Sequence, residues 1–154
     1  PDIMRAVMDG TPVNIRSPYA TRPWQHVLEP VGAYLLLAEK LYNDGASYAE
    51  AWNIGPSSDD ARDVEYIVKN ICRTWGDGAS FTIDSNPQPH EAGYLKLDIS
   101  KIENRIGWHP VWPLPVTLEK TAEWYKAYMK GQDALEICLA QLRQYTNDMK
   151  ETRA

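Results

Sequence analysis

Hydrophobic positions along the chain fall into a few periodic blocks. Pro1 to Met8 sets apolar residues three and four apart and stops at Asp9-Gly10, which predicts a short helix. Val13-Asn14-Ile15 alternates and predicts a brief strand. Pro18 and Pro23 then bound a polar loop holding Arg16, Tyr19 and Arg22 beside the strand edge, with Trp24 to Val27 extended after it. From Pro30, suited to a first helical turn, residues through Tyr42 are apolar on nearly every side until Asn43-Asp44-Gly45, so this helix needs cover from several directions. Ala51 to Gly55 predicts a short strand. Asp60 is placed to cap a helix whose stripe is Val64, Ile67, Val68, Ile71, Cys72 and Trp75.

The second half repeats this economy. Ser80 to Asp84 predicts a strand, Ser85 to Gly93 a surface loop, and Leu95-Lys96-Leu97 alternates again. Ser100 is placed to cap a short helix to Ile106, broken by Gly107-Trp108-His109-Pro110. Two further helical stripes follow: Leu118, Ala122, Tyr125 and Met129, then Leu135, Cys138, Leu142, Tyr145 and Met149. There is no internal repeat. The pattern predicts an α/β fold, helix-rich with a few short strands, in one domain over residues 1–154.

Composition narrows the functional classes. The 154 residues are 44% hydrophobic and 24% charged, the balance of a globular domain. A net charge of -5 with scattered Lys and Arg gives no basic stripe for nucleic acid. The longest apolar run, Tyr34 to Ala38, is far short of the roughly 20 residues that span a bilayer, so no membrane role is expected. Cys72 and Cys138 sit apart inside helical patterns, which supports neither a disulfide framework nor a zinc site and fits a cytoplasmic protein. His90-Glu91 would need a second histidine at 94 to form a zinc motif, and Tyr94 stands there; no metal is expected. Pro1 in place of Met, with no export signal after it, suggests a chain cut from something longer.

Two stretches carry a likeness. Arg22-Pro23-Trp24-Gln25-His26-Val27-Leu28-Glu29-Pro30 with the helix after it resembles the segment characteristic of the CDP-glucose 4,6-dehydratase family, a branch of the extended short-chain dehydrogenase/reductases. Other branches carry Asp at the position of Pro23. Pro89-His90-Glu91-Ala92, Leu95 to Asp98, Gly107 to Pro110 and Thr121-Ala122-Glu123-Trp124-Tyr125 resemble the same family's C-terminal signature, in the same order. The resemblance implies the C-terminal part of an NAD-binding Rossmann-like fold and a sugar-nucleotide lyase. In that family hydride leaves glucose C4, water is eliminated across C5 and C6, and hydride returns to C6. The product, CDP-4-keto-6-deoxyglucose, feeds bacterial surface polysaccharides such as the O-antigen of lipopolysaccharide. The implied substrate is CDP-glucose, the implied cofactor NAD, and the implied assembly a homo-oligomer, a dimer.

The cofactor and catalytic groups of that chemistry are missing from the sequence. Dinucleotide binding needs a glycine-rich turn at a helix N-terminus, and the nine glycines never form one. None of the nine tyrosines has Lys four residues later, so the Tyr-x-x-x-Lys pair is absent. The expectation is a substrate-binding lobe without its cofactor half, with no catalytic residue, no NAD site of its own and no activity alone. Arg22 leads the candidate substrate contacts, since its guanidinium matches phosphate oxygens with a fork of donors and its counterpart in the family contacts the substrate diphosphate. Arg16 and Tyr19 share its loop. His90 and Glu91 follow only from the family's placement of their loop near the nucleotide. His26 reads as a buried core histidine and Trp52, Trp75, Trp108, Trp112 and Trp124 as packing residues. The alternatives are another sugar-nucleotide dehydratase or epimerase, or a non-catalytic module that self-associates.

Overall fold

The computed structural model describes residues 2–86 and 92–152. Among the described residues, six α-helices and four three-residue strands form two apolar clusters joined by a polar junction. The first cluster is built on α1 (Asp2–Met8), β1 (Val13–Ile15), α3 (Val64–Trp75), β4 (Phe81–Ile83) and α5 (Leu114–Met129). β1 and β4 pair in parallel, Val13 opposite Phe81 and Ile15 opposite Ile83. Val13 and Ile15 point inward while Asn14 points out, as strand alternation dictates.

α3 is the most regular amphipath. Its predicted stripe is the buried one, with Ile67, Val68, Ile71, Cys72 and Trp75 all inside. Each large side chain there contributes about 1.5–3 kcal/mol of transfer free energy. The cap is Asp63, not Asp60: its Oδ1 accepts from the Tyr66 amide at 2.7 Å. Asp60 ends a 3-10 turn at Ser58–Asp60, and β3 (Ala61–Asp63) intervenes before the helix starts. Gly76, at φ 69, closes α3 with its amide on the Cys72 carbonyl, in backbone space that a side chain would strain.

The second cluster gathers Ala33 of α2 (Leu28–Asp44), Ile102 and Ile106 of α4 (Ser100–Ile106), Ile99 and Trp108, with Trp52, Ile54 and Leu97 packed against it. Residues 51–55 do not form the expected strand; they run past α4 without a ladder. Gly55 makes this approach possible, since a Cβ there would fall 2.9 Å from Leu97 Cδ1. Residues 95–97 also fail to pair beyond one bridge of Tyr94 to Thr21. The start of α4 is held by Asp98, whose Oδ1 accepts from the Ser100 amide; Ser100 is itself the first helical residue and not the cap.

α6 (Ala134–Thr152) departs most from its predicted face. Ile137 and Tyr145 are its buried residues, whereas Leu135 is 64% and Leu142 46% exposed. Tyr145, a member of the expected stripe, reaches the junction beneath α2, while Ile137 and not Leu135 or Leu142 is buried earlier in the helix. α2 likewise buries only Glu29 and Ala33, so the cover its sequence calls for is incomplete. No described helix is long and apolar enough to cross a membrane.

Candidate functional site

Arg22 lies at the centre of β2 (Thr21–Pro23), which pairs antiparallel with β3. The loop before it is pinned to the start of α3 by the Val64 amide on the Ala20 carbonyl and the Glu65 amide on the Pro18 carbonyl. Trp24 Nε1 donates to the Arg62 carbonyl at 2.9 Å and locks the end of the ribbon. The guanidinium of Arg22 is positioned by backbone: Nη1 donates to the Thr21 carbonyl at 2.9 Å and the Ala92 carbonyl at 2.8 Å. It is half-buried, and its place next to Ala92 ties it to the segment that follows Glu91. His90 and Glu91 themselves lie outside the described residues.

The register places Arg62 directly opposite Arg22. Facing residues of an antiparallel pair share one side of the sheet about 5 Å apart at Cβ, where like charges are unfavourable. Arg62 is steadied by the Tyr66 ring, 5.5 Å from its guanidinium carbon to the centroid. Two arginines held to one face suit an anion carrying more than one charge, and the fork of donors on each matches phosphate oxygens. Arg62 was not among the residues picked from the sequence. No local signal marks it, because its partner sits forty positions upstream and only the ladder brings them together.

The other loop candidates diverge. Arg16 is exposed at the end of β1 and lines a separate cavity of about 440 Å³ with Asp2, Asn14, Ser17, Val64 and Val68; Arg22 does not line it. Tyr19 sits in the turn between, 78% exposed. The register thus sets Arg22 opposite Arg62, whereas Arg16 lies at the separate cavity beside β1.

His26 is buried, as expected. Its Nδ1 accepts from the Leu28 amide at 3.3 Å, and its ring meets Trp112 edge-on at 4.8 Å. Burial lowers its pKa to about 4, so it is neutral at physiological pH. Glu29, fully buried, is the junction between the two clusters. It accepts from the Val111 amide at 3.1 Å, the Trp112 amide at 2.8 Å and the Tyr145 hydroxyl at 2.8 Å. Burial raises the Glu29 pKa, and these hydrogen bonds work against the rise. Trp112 Nε1 in turn donates to Asp148 at 2.7 Å, fastening α6. Among the described residues no three His, Cys, Asp or Glu side chains cluster as a metal site.

The described helix starts do not suit a dinucleotide's pyrophosphate. Pyrophosphate is held at a helix N-terminus with open amides, yet the amides that begin α3, α4 and α6 are taken by Asp63, Asp98 and Asp133. Glu29 occupies the first turn of α2, and α5 opens on Pro113-Leu114-Pro115. These carboxylates repel a phosphate where it would need to bind, so no step through NAD is derived from the chain's own residues.

No family profile matches the chain. It is 49% identical over 138 residues to CDP-glucose 4,6-dehydratase of Salmonella typhimurium (strain LT2), a match covering 90% of this chain and 38% of that protein. Two solved structures share the fold: dTDP-glucose 4,6-dehydratase from Bacillus anthracis in complex with NAD, with TM-score 0.62, 19% identity and 80% of this chain against 37% of that one; and UDP-glucuronic acid 4-epimerase from Bacillus cereus in complex with a fluorinated UDP-glucuronic acid and NAD, with TM-score 0.66, 18% identity and 82% against 39%. The chain thus spans about two fifths of the length of the relatives it matches, and its fold is that of the C-terminal part of extended short-chain dehydrogenase/reductases.

Proposed function

We propose that the chain is the substrate-binding part of an NAD-dependent CDP-glucose 4,6-dehydratase, gripping the CDP diphosphate between Arg22 and Arg62. The observation that supports this most is the cross-strand arginine pair inside the very segment shared with the Salmonella relative. The chain carries a net charge of -5, so a doubly basic face is a local feature and not the spill of a general positive excess. On this reading Arg22 is the principal anchor and Arg62 the second arm. Arg16 and Tyr19 contribute less, and His90 and Glu91 remain candidate contacts on the family resemblance alone. The product is CDP-4-keto-6-deoxyglucose for bacterial O-antigen sugars, made in the cytoplasm by a homodimer whose NAD is bound by a part of the protein that this chain does not contain.

The test compares two proteins: the chain alone, and the chain joined to the remaining part of the Salmonella relative in place of its own matched segment. The joined protein should convert CDP-glucose with NAD to the 4-keto product, read by its alkaline absorbance, and the chain alone should show none above a protein-free blank. A joined protein that binds NAD but turns over dTDP-glucose or UDP-glucuronic acid in preference to CDP-glucose contradicts the assignment.

A further inference from the structure

α6 is fastened to the lobe by directed polar bonds more than by apolar burial. Of its 19 residues only Ile137 and Tyr145 are buried, whereas α3 buries five of 12. Among the described residues none from α6 belongs to either apolar cluster. Elements with few buried apolar contacts are the ones that open at free energies below that of global unfolding. What holds α6 sits mostly near its far end. The Tyr145 hydroxyl donates to Glu29 at 2.8 Å, and its ring meets Trp112 edge-on at 5.1 Å. The Trp112 indole donates to Asp148 at 2.7 Å, and Gln141 Nε2 donates to the Lys120 carbonyl at 2.7 Å. The socket for the hydroxyl is shaped on α2, where a Cβ at Gly32 would lie 3.4 Å from the Tyr145 oxygen. A glycine inside a helix is disfavoured relative to alanine, so α2 gives up helix propensity at the point where the ring docks.

α6 is also complete in itself. Asp133 caps it, with Oδ1 accepting from the Leu135 amide at 2.9 Å and the Glu136 amide at 3.1 Å, so the cap stays with the helix. Gly131, at φ 78, turns the chain just before that cap. We infer that α6 is a strap, which leaves and rejoins the lobe as one unit about Gly131 and is latched by Tyr145 on Glu29 and Asp148 on Trp112. Its release frees the Trp112 indole and the Nε1 of Trp124 on α5, which lies 3.3 Å from Cys138 Sγ in the latched state. It also removes one wall of a groove of about 420 Å³, to which α6 contributes Cys138 and Gln141 and α5 contributes Trp124 and Tyr125. α3 and the two strand ladders stay in place during this movement.

Native-state hydrogen exchange of the chain, followed by mass spectrometry over a urea series below the unfolding transition, separates this opening from global unfolding. Peptides covering residues 134–141 and 142–150 should share one opening equilibrium, roughly tenfold or more above that of α3, with a smaller dependence on urea. Tyr145→Phe keeps the ring and removes the donor to Glu29, and should speed exchange in both peptides by roughly tenfold. Asp148→Ala, at the second bond of the latch, should do the same by roughly threefold to tenfold. Exchange of α6 at the same rate as α3 overturns the inference. So does protection that falls off steadily from residue 152 inward with no shared step, since that is fraying of a helix end. Variants that both leave residues 134–141 at the parent's rate overturn it as well.

Discussion

The junction at Glu29 and the ribbon at Arg22 are both built from charged groups inside a small chain, and they are built in opposite ways. At the junction one buried carboxylate meets three donors, and the indole of the Trp112 it holds is fastened in turn by Asp148. Every charge there is answered within the chain, which is what a buried polar group needs to be structural. At the ribbon two guanidinium groups of the same sign are brought face to face, steadied by carbonyls and a ring. Two like charges on one face are relieved when an anion sits between them. The difference teaches how to sort charged residues in this fold: a lone buried carboxylate ringed by donors holds the chain together, and two like charges set on one face of a ribbon favour an anion between them.

The sharpest way to break that contrast is to truncate the junction. Glu29→Ala leaves two buried amides and a hydroxyl without their acceptor and should cost about 3–5 kcal/mol of folding stability, measured by urea unfolding. A loss under 1 kcal/mol would remove the junction's structural role. His26 tests the same region by pH. Its folded pKa of about 4 lies below the ordinary value of 6.5, so the fold favours the neutral ring. That contribution is complete above pH 6.5 and is lost as pH falls toward 4, by an amount on the order of 3 kcal/mol. Glu29, whose pKa burial raises, acts in the opposite sense at low pH, so the histidine is isolated by comparing the parent with His26→Gln: the variant's stability should fall less steeply between pH 6.5 and 4. Identical slopes would show that His26 does not carry the acid sensitivity. The smallest expected effect is the most pointed. Arg62→Ala should leave stability unchanged or raise it by about 0.2–1 kcal/mol in ligand-free protein, since it relieves a like-charge pair, while weakening CDP binding in the joined protein. Destabilisation beyond 1 kcal/mol would place Arg62 with the structural residues.

Much of the fold is legible in sequence. The α3 stripe, the β1 alternation and the Gly76 and Gly107 stops are local features, and local patterns read well when propensity and packing agree. The expected α6 stripe holds at Tyr145, which is buried and reaches Glu29 across 116 positions, and fails nearer the start, where Ile137 is buried and Leu135 and Leu142 are exposed. Glu29 stands just before the helix expected from Pro30, and nothing nearby in sequence announces that its partners are the amides of Val111 and Trp112. The strand expected at 51–55 failed for the same reason in reverse: an apolar, extended segment still needs a neighbour to pair with. At the candidate site, the motif carried Arg22 to attention, whereas Arg62 became visible only through register.

The central claim, that the β2–β3 ribbon holds a diphosphate, is tested most directly by calorimetric titration of CDP and CDP-glucose into the joined protein and its Arg22 variants. Arg22→Ala should weaken both ligands by roughly 2–4 kcal/mol through loss of a charge-assisted contact to a half-buried anion, with the fold intact by circular dichroism. Arg22→Lys should recover part of that loss and not all, because a point charge replaces the fork. Equal affinity of the parent and Arg22→Ala for CDP would contradict the account.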